Sequence, residues 1–235
     1  MIICGSVCMI MNTPNLSIMP MRPRIKICCI QSIQEVETAV RLGADAIGLV
    51  AAMPSGPGPI PDELIRQIAA ATPPPVGTFL LTSHTSVREI LAHHHRTNTN
   101  AVQMVDALTE GTYRQLKEAL PSVKIVQVIH VIDEQSVEEA IRVSGSVDAI
   151  LLDSGNPHLP VRELGGTGRV HNWKLSRRIR EKADCPVFLA GGLKPENVRQ
   201  AVEAVEPYAV DVCSGVRTAG CLDVEKLEKF MAAVY

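Results

Sequence analysis

The chain has 235 residues, a formal net charge of −2 and an apolar fraction of 46%, with aromatic residues at 3%. That length and apolar content support a large packed core and exclude disorder. The near-neutral charge and scarce aromatics exclude a broad phosphate-backbone surface or a base-stacking platform, so no nucleic-acid partner is expected.

Residues 1–23 carry no positive charge before Arg22 and read as an N-terminal extension, not a secretory signal. Met11, Met19 and Met21 leave the true start open. From Arg24, short β-branched runs alternate with amphipathic segments. The spacing predicts strands at RIKICC (24–29), AIGLVA (46–51), VGTFLL (76–81) and AVQMV (101–105). KIVQVI (124–129), DAILLD (148–153), PVFLAG (186–191) and YAVDVC (208–213) follow. Each precedes a segment of helical period, beginning with IQEVETAVRLG, where Ile33, Val36, Ala39 and Val40 share a face and Gly43 supplies a stop. Eight strands each followed by a helix predict a single (β/α)8 TIM barrel over 24–235. A doubly wound open sheet fits less well, because CCIQSI after the first strand lacks the glycine fingerprint that such a fold carries.

The seven cysteines, Cys4, Cys8, Cys28, Cys29, Cys185, Cys213 and Cys221, show no disulfide or zinc spacing and point to a reducing, cytoplasmic setting. No apolar run reaches the about 18 residues of a membrane-spanning helix, so no membrane partner is expected. Consecutive histidines at 93–95 point around a helix and read as a solvated helix end; no metal site is predicted.

A barrel does its chemistry at the C-terminal ends of its strands. The titratable residues there are Cys28 and Cys29, Asp106, His130, Asp153 and Asp211. A thiolate accepts a proton and a protonated carboxyl donates one, so a cysteine and an aspartate across the mouth form a base and acid pair. Asp211, between Val210 and Val212, needs a partner if it points inward. Gly191-Gly192 and Ser214-Gly215 follow the last two strands, where barrels commonly bind phosphate; Gly166 sits in the glycine-rich run of the sixth loop. Two connections are long, 53–62 (MPSGPGPIPD) and 154–170 (SGNPHLPVRELGGTGRV).

The segments KICCI (26–30), LGADAIGLV (42–50), VQ (102–103), LLDS (151–154), GGTGRVHNW (165–173), FLAGGLKPENV (188–198) and DVCSGV (211–216) together resemble the phosphoribosylanthranilate isomerase family of tryptophan biosynthesis. The resemblance implies a cofactor-free Amadori rearrangement of a phosphorylated small molecule, with Cys28 as general base and Asp153 as general acid. That role requires a raised pKa on Asp153 and a lowered one on Cys28. It assigns phosphate or substrate binding to Gly166, Gly191, Gly192, Ser214 and Gly215, with Gln103 and Asp211 in the same set. It allows both a monomer and a homodimer.

Four positions depart from the family pattern: Cys29 replaces a glycine, loop 53–62 lacks the Ser-Pro-Arg, Val105 replaces a histidine, and Arg217 replaces a glutamate. Arg162, Arg169 and Arg217 are the basic residues available to replace the missing arginine. A phosphate-binding relative with altered or lost catalysis is the alternative reading; another cofactor-free phosphosugar enzyme is a third. Schiff-base aldolase chemistry is disfavoured because Lys26 and Lys124 fall early in their strands.

Overall fold

The computed structural model describes residues 22–155 and 170–235. Eight parallel strands close in chain order: β1 (Arg24–Ile27), β2 (Ala46–Val50), β3 (Gly77–Thr82), β4 (Ala101–Met104), β5 (Lys124–His130), β6 (Ala149–Asp153), β7 (Val187–Leu189) and β8 (Ala209–Val212). The helices between them are α1 (Ile33–Arg41), α2 (Asp62–Ala71), α3 (Val87–Thr97), α4 (Tyr113–Ala119), α5 (Glu134–Ser144), α6 (Trp173–Lys182), α7 (Val198–Val205) and α8 (Val224–Val234). The predicted TIM barrel is therefore present. β1 completes it by pairing with both β2 and β8, which sets Lys26 opposite Asp211.

Strands of a barrel are covered on both faces, which is why their sequences read as nearly unbroken apolar runs. One face of each strand packs against the helices, through Ile25, Ile27, Ile47, Leu49, Leu80 and Val102 among others. The alternate residues fill the barrel: Phe79, Leu81, Val126, Val128, Leu151 and Phe188. Each fully buried aliphatic side chain contributes about 1.5–3 kcal/mol relative to exposure.

The helix starts follow their capping chemistry. The Ser32 hydroxyl accepts from the Glu35 amide at 3.2 Å, and Thr112 with Gln115 and Asp133 with Ser136 form reciprocal caps. Gly43 adopts φ +101° just beyond α1, as its predicted stop requires.

After β7 the chain makes a turn in which Asn197 Nδ2 donates to the Gly192 carbonyl at 2.9 Å, and α7 begins at Val198. A short 3-10 turn (Ser214–Val216) and a small antiparallel pair, β9 (Arg217–Thr218) with β10 (Cys221–Leu222), intervene before α8. The histidine run is not a solvated helix end: His93 and His94 are buried. His93 bridges Thr82 Oγ1 at 2.9 Å and Asp62 Oδ1 at 3.1 Å, and His94 Nε2–H donates to the Thr99 carbonyl at 2.7 Å. Through these bonds His93 ties α3 to β3 and α2. Of the expected extension, residues 1–21 lie outside the described residues.

Candidate active site

Because side chains alternate along a strand, the inward positions are Lys26 of β1 and Cys28 just after it, Ala101 and Gln103 of β4 and Val105 just after it, and Asp211 of β8. The same alternation brings His130 and Asp153 inward at the mouth, paired in register across β5 and β6. A pocket opens there. Its walls include Cys28, Gln103, Asp153, Gly191, Gly192, Asp211 and Ser214, so seven predicted site residues meet in one cavity. Gly215 stands behind it, and Gly166 lies outside the described residues.

The glycine turns have a geometric cause. Gly191 (φ +78°) and Gly192 (φ +64°) are consecutive left-handed residues, which side chains resist. A Cβ on Gly191 would come within 2.9 Å of the Ser154 amide nitrogen, and one on Gly215 would collide with the Leu193 carbonyl. The β7 and β8 turns thus lie against each other, and only backbone fits between them.

Below the pocket, Lys26 Nζ donates to Asp211 Oδ2 at 2.9 Å, with both side chains buried. The sequence disfavours Lys26 as a Schiff-base lysine because it falls early in its strand. Closure of β1 on β8 instead puts its ammonium at the centre of the barrel, where Asp211 is the partner that an inward carboxylate needs. The ammonium also reaches Cys28: a Cβ on Gly48 would sit 2.7 Å from Cys28 Sγ and 2.9 Å from Lys26 Nζ. The unlikely-looking glycine in AIGLV keeps that space free.

Burial raises the Asp153 pKa from its ordinary value, with the Ser154 amide and His130 opposing the rise, so the carboxyl favours holding a proton as its acid role requires. Burial also raises Asp211, against the Lys26 charge. The expectation for Cys28 is overturned: burial pushes its thiol up to about 11, and the nearby Lys26 charge only partly offsets the loss of water. The resting side chain is a thiol.

Cys29 does not remain free as the sequence implied. It is joined to Cys213 in a disulfide whose Cα atoms are 5.9 Å apart, a normal span for such a bond. Cys29 takes φ +62°, the left-handed conformation that explains a glycine in the family pattern. The bond ties the residue after Cys28 to the residue before Ser214.

Arg217 does not replace the missing arginine. Its guanidinium is buried away from the pocket, donating to Glu35 Oε2 at 2.8 Å, to the Gly220 carbonyl at 2.8 Å and to the Cys29 carbonyl. It staples the first loop to the eighth. Loop 53–62 contributes Met53, Ser55, Gly56 and Pro57 to the pocket, and no lysine or arginine lines it among the described residues. Arg162 and Arg169 lie outside the described residues. At Val105, where the family pattern has a histidine, an imidazole arrives from the next strand: His130 Nε2–H donates to the Val105 carbonyl at 3.2 Å.

Residues 25–233 match the family model for N-(5'-phosphoribosyl)anthranilate (PRA) isomerase. The chain is 35% identical over 226 residues to the N-(5'-phosphoribosyl)anthranilate isomerase of Methanosarcina acetivorans, covering 91% of this chain and 93% of the relative. The Haloarcula marismortui enzyme is 36% identical over 198 residues, covering 84% and 88%. Among solved structures, phosphoribosyl anthranilate isomerase from Thermotoga maritima aligns with a TM-score of 0.74 at 30% identity, covering 90% of this chain and 98% of that one. Another phosphoribosyl anthranilate isomerase, solved with reduced 1-(o-carboxyphenylamino)-1-deoxyribulose 5-phosphate, aligns with a TM-score of 0.72 at 28% identity over the same shares. The barrel, the inward cysteine and aspartate, the paired glycine turns and these matches agree, and the chain belongs to the phosphoribosylanthranilate isomerase family.

Proposed function

We propose that this chain catalyses the Amadori rearrangement of N-(5-phosphoribosyl)anthranilate to 1-(2-carboxyphenylamino)-1-deoxyribulose 5-phosphate, a step of tryptophan biosynthesis. The observation that carries the reading is that Cys28 and Asp153 open into one pocket beside the β7 and β8 turns. Asp153, favoured in its protonated form by burial, gives its proton to the ribose ring oxygen as the ring opens. Cys28 takes the proton from C2 of the resulting imine. The rearrangement moves hydrogen within one molecule without net redox change, so it needs no external electron carrier.

The resting thiol must lose its proton first, and Lys26 is the cation beside the anion that forms. The competent form therefore has the proton on Asp153 and the charge on Cys28, a minority of molecules at neutral pH. The phosphate is assigned to the backbone of Gly191, Gly192, Ser214 and Gly215, together with Gly166. The working compartment of this reading is the cytoplasm. A homodimer, the state named for a Thermotoga maritima relative, is decided by sedimentation of the purified chain.

The absence of a basic residue from the described pocket lining favours one second reading, a barrel that binds a phosphorylated ligand with altered or lost catalysis. One assay separates them: freshly made phosphoribosylanthranilate is added to purified protein and the loss of anthranilate fluorescence is followed. Turnover abolished by Cys28→Ala and by Asp153→Asn supports the isomerase; ligand binding without turnover supports the alternative.

A further inference from the structure

The proposed mechanism gives no task to the Cys29–Cys213 bond, although both of its residues line the pocket. Cys29 directly follows Cys28, the assigned base, and Cys213 directly precedes Ser214 of the assigned phosphate turn. The bond therefore joins the two halves of the candidate site, and three loops meet at it. A Cβ on Gly58 would lie 2.9 Å from Cys29 Cβ, so loop 53–62 packs its backbone directly on this side chain. The Cys213 carbonyl accepts from the Val216 amide at 3.3 Å and so begins the 3-10 turn that carries Ser214 and Gly215. From the eighth loop, the Arg217 guanidinium donates to the Cys29 carbonyl.

Two observations give the bond a direction of effect and a point of attack. Cys29 holds φ +62°, a left-handed conformation that residues with a side chain resist, and the covalent tie to Cys213 keeps it there. Cys29 is buried while Cys213 is half-buried, so a thiol entering the pocket reaches Cys213 Sγ first.

We propose that Cys29 and Cys213 form a redox modification site in the pocket wall, opened by a small dithiol and closed by a small disulfide, and that the closed form binds a phosphorylated ligand more tightly. The inference rests on the phosphate assignment of the proposed function. A thiolate of the dithiol attacks Cys213 Sγ; the Cys29–Cys213 bond breaks, and its electron pair goes to Cys29 Sγ, which takes a proton. The second thiol of the reductant then attacks the mixed disulfide at the reductant's own sulfur, and Cys213 leaves and is protonated. Two electrons and two protons pass to the protein, and the dithiol departs as a disulfide. Closure runs the same exchange in reverse, with a small disulfide as the oxidant. Once opened, Cys29 is free to leave the left-handed region, and the Ser214 turn loses its tie to the first loop. Disulfides in a reducing cytoplasm are for the most part transient or redox-sensing, so ligand binding follows the balance of thiol and disulfide.

The full chain purified without reductant is compared with the same protein treated with dithiothreitol and shown by circular dichroism to be folded. Differential alkylation with mass spectrometry reports whether the Cys29 and Cys213 peptides are linked, and calorimetry gives the affinity of each form for ribose 5-phosphate. The expected result is linked peptides before treatment and an affinity about threefold to tenfold weaker after it, restored by oxidised glutathione. Cys213→Ser, which is open without reductant, should bind as weakly as the reduced protein; affinity equal to that of the oxidised wild type overturns the proposal. In Cys29→Gly, which forms no bond and accepts the left-handed backbone, dithiothreitol should leave the affinity where it was. A response that persists there comes from another thiol and overturns the proposal. Unlinked peptides before treatment, equal affinities of the two forms, or no binding by either overturn it as well. If affinity responds to reduction and neither form turns over phosphoribosylanthranilate, the isomerase reading fails and the redox site stands. If turnover is present while the affinities are equal, the redox site fails and the isomerase reading stands.

Discussion

Lys26 and Asp211, 185 positions apart in the chain, meet through a buried 2.9 Å hydrogen bond that closes the barrel electrostatically where β1 meets β8. Removing one member strands the other in a dry interior. Lys26→Met is expected to cost about 3–5 kcal/mol in urea unfolding. The double variant Lys26→Met/Asp211→Leu should recover much of that loss, because neither charge then remains. Equal stability of the single and double variants would contradict this account.

The same lysine sets the ease of forming the Cys28 thiolate. Alkylation of Cys28 by iodoacetamide, followed by mass spectrometry, should rise with pH toward a midpoint near 11. In Lys26→Met the midpoint should move higher still, because burial would act unopposed. An unchanged alkylation profile would remove Lys26 from the control of the base.

Asp153→Asn is expected to lower turnover by about 10²–10⁴-fold as a lost general acid. Its effect on stability has the opposite sign. A carboxyl whose folded pKa is raised stabilises the fold fully below its unfolded pKa of 3.8, and this contribution falls as pH rises toward the folded value. Asparagine carries no such penalty. The melting temperature of Asp153→Asn relative to wild type should therefore increase from pH 4 toward pH 8, as read by calorimetry.

Much of this arrangement was legible before any coordinates. Eight apolar runs and their helical intervals gave the barrel, and strand ends gave Cys28, Asp153 and Asp211 as candidates. Lys26 was missed as the partner of Asp211 because its environment depends on barrel closure, although an inward aspartate between two valines in VDV already needed one. The Cys29–Cys213 bond was invisible because 184 positions separate its ends and no spacing rule spans such a distance. Arg217 looked available because a sequence does not reveal that Glu35, in the first turn of α1, reaches it first. His93 and His94 were misread for the same reason: Asp62, Thr82 and Thr99 provide the partners that allow them inside.

The Cys29–Cys213 bond is expected to carry measurable stability. Removing a native disulfide that closes a long loop typically costs about 2–5 kcal/mol. Cys213→Ser should lose about that much in urea without reductant, and the gap should vanish when dithiothreitol is added to both proteins. A variant as stable as wild type without reductant would count against this.

His171 is expected to make the fold sensitive to acid. Burial pushes its pKa down to about 4 from 6.5, and its Nε2 is hydrogen-bonded to Ser176 Oγ at 2.7 Å. A base with a depressed folded pKa contributes stability above 6.5 that is lost as pH falls through 4. The effect is on the order of 3 kcal/mol across that window. His171→Phe should flatten the dependence of unfolding free energy on pH between these limits; an identical slope in both proteins would refute the assignment.

The Arg22 guanidinium lies 4.4 Å from the centre of the Tyr235 ring. Arg22 lies two residues before the start of the first strand, so this contact lies at the floor of the barrel, opposite the mouth. Engineering can use that separation. A short linker from Tyr235 to Arg22 would permit new ends to be cut in a helix-to-strand connection on the same floor, and an immobilisation tag joined at Tyr235 would leave substrate entry open. The molecule can in this way be held from beneath while its reaction is observed from above.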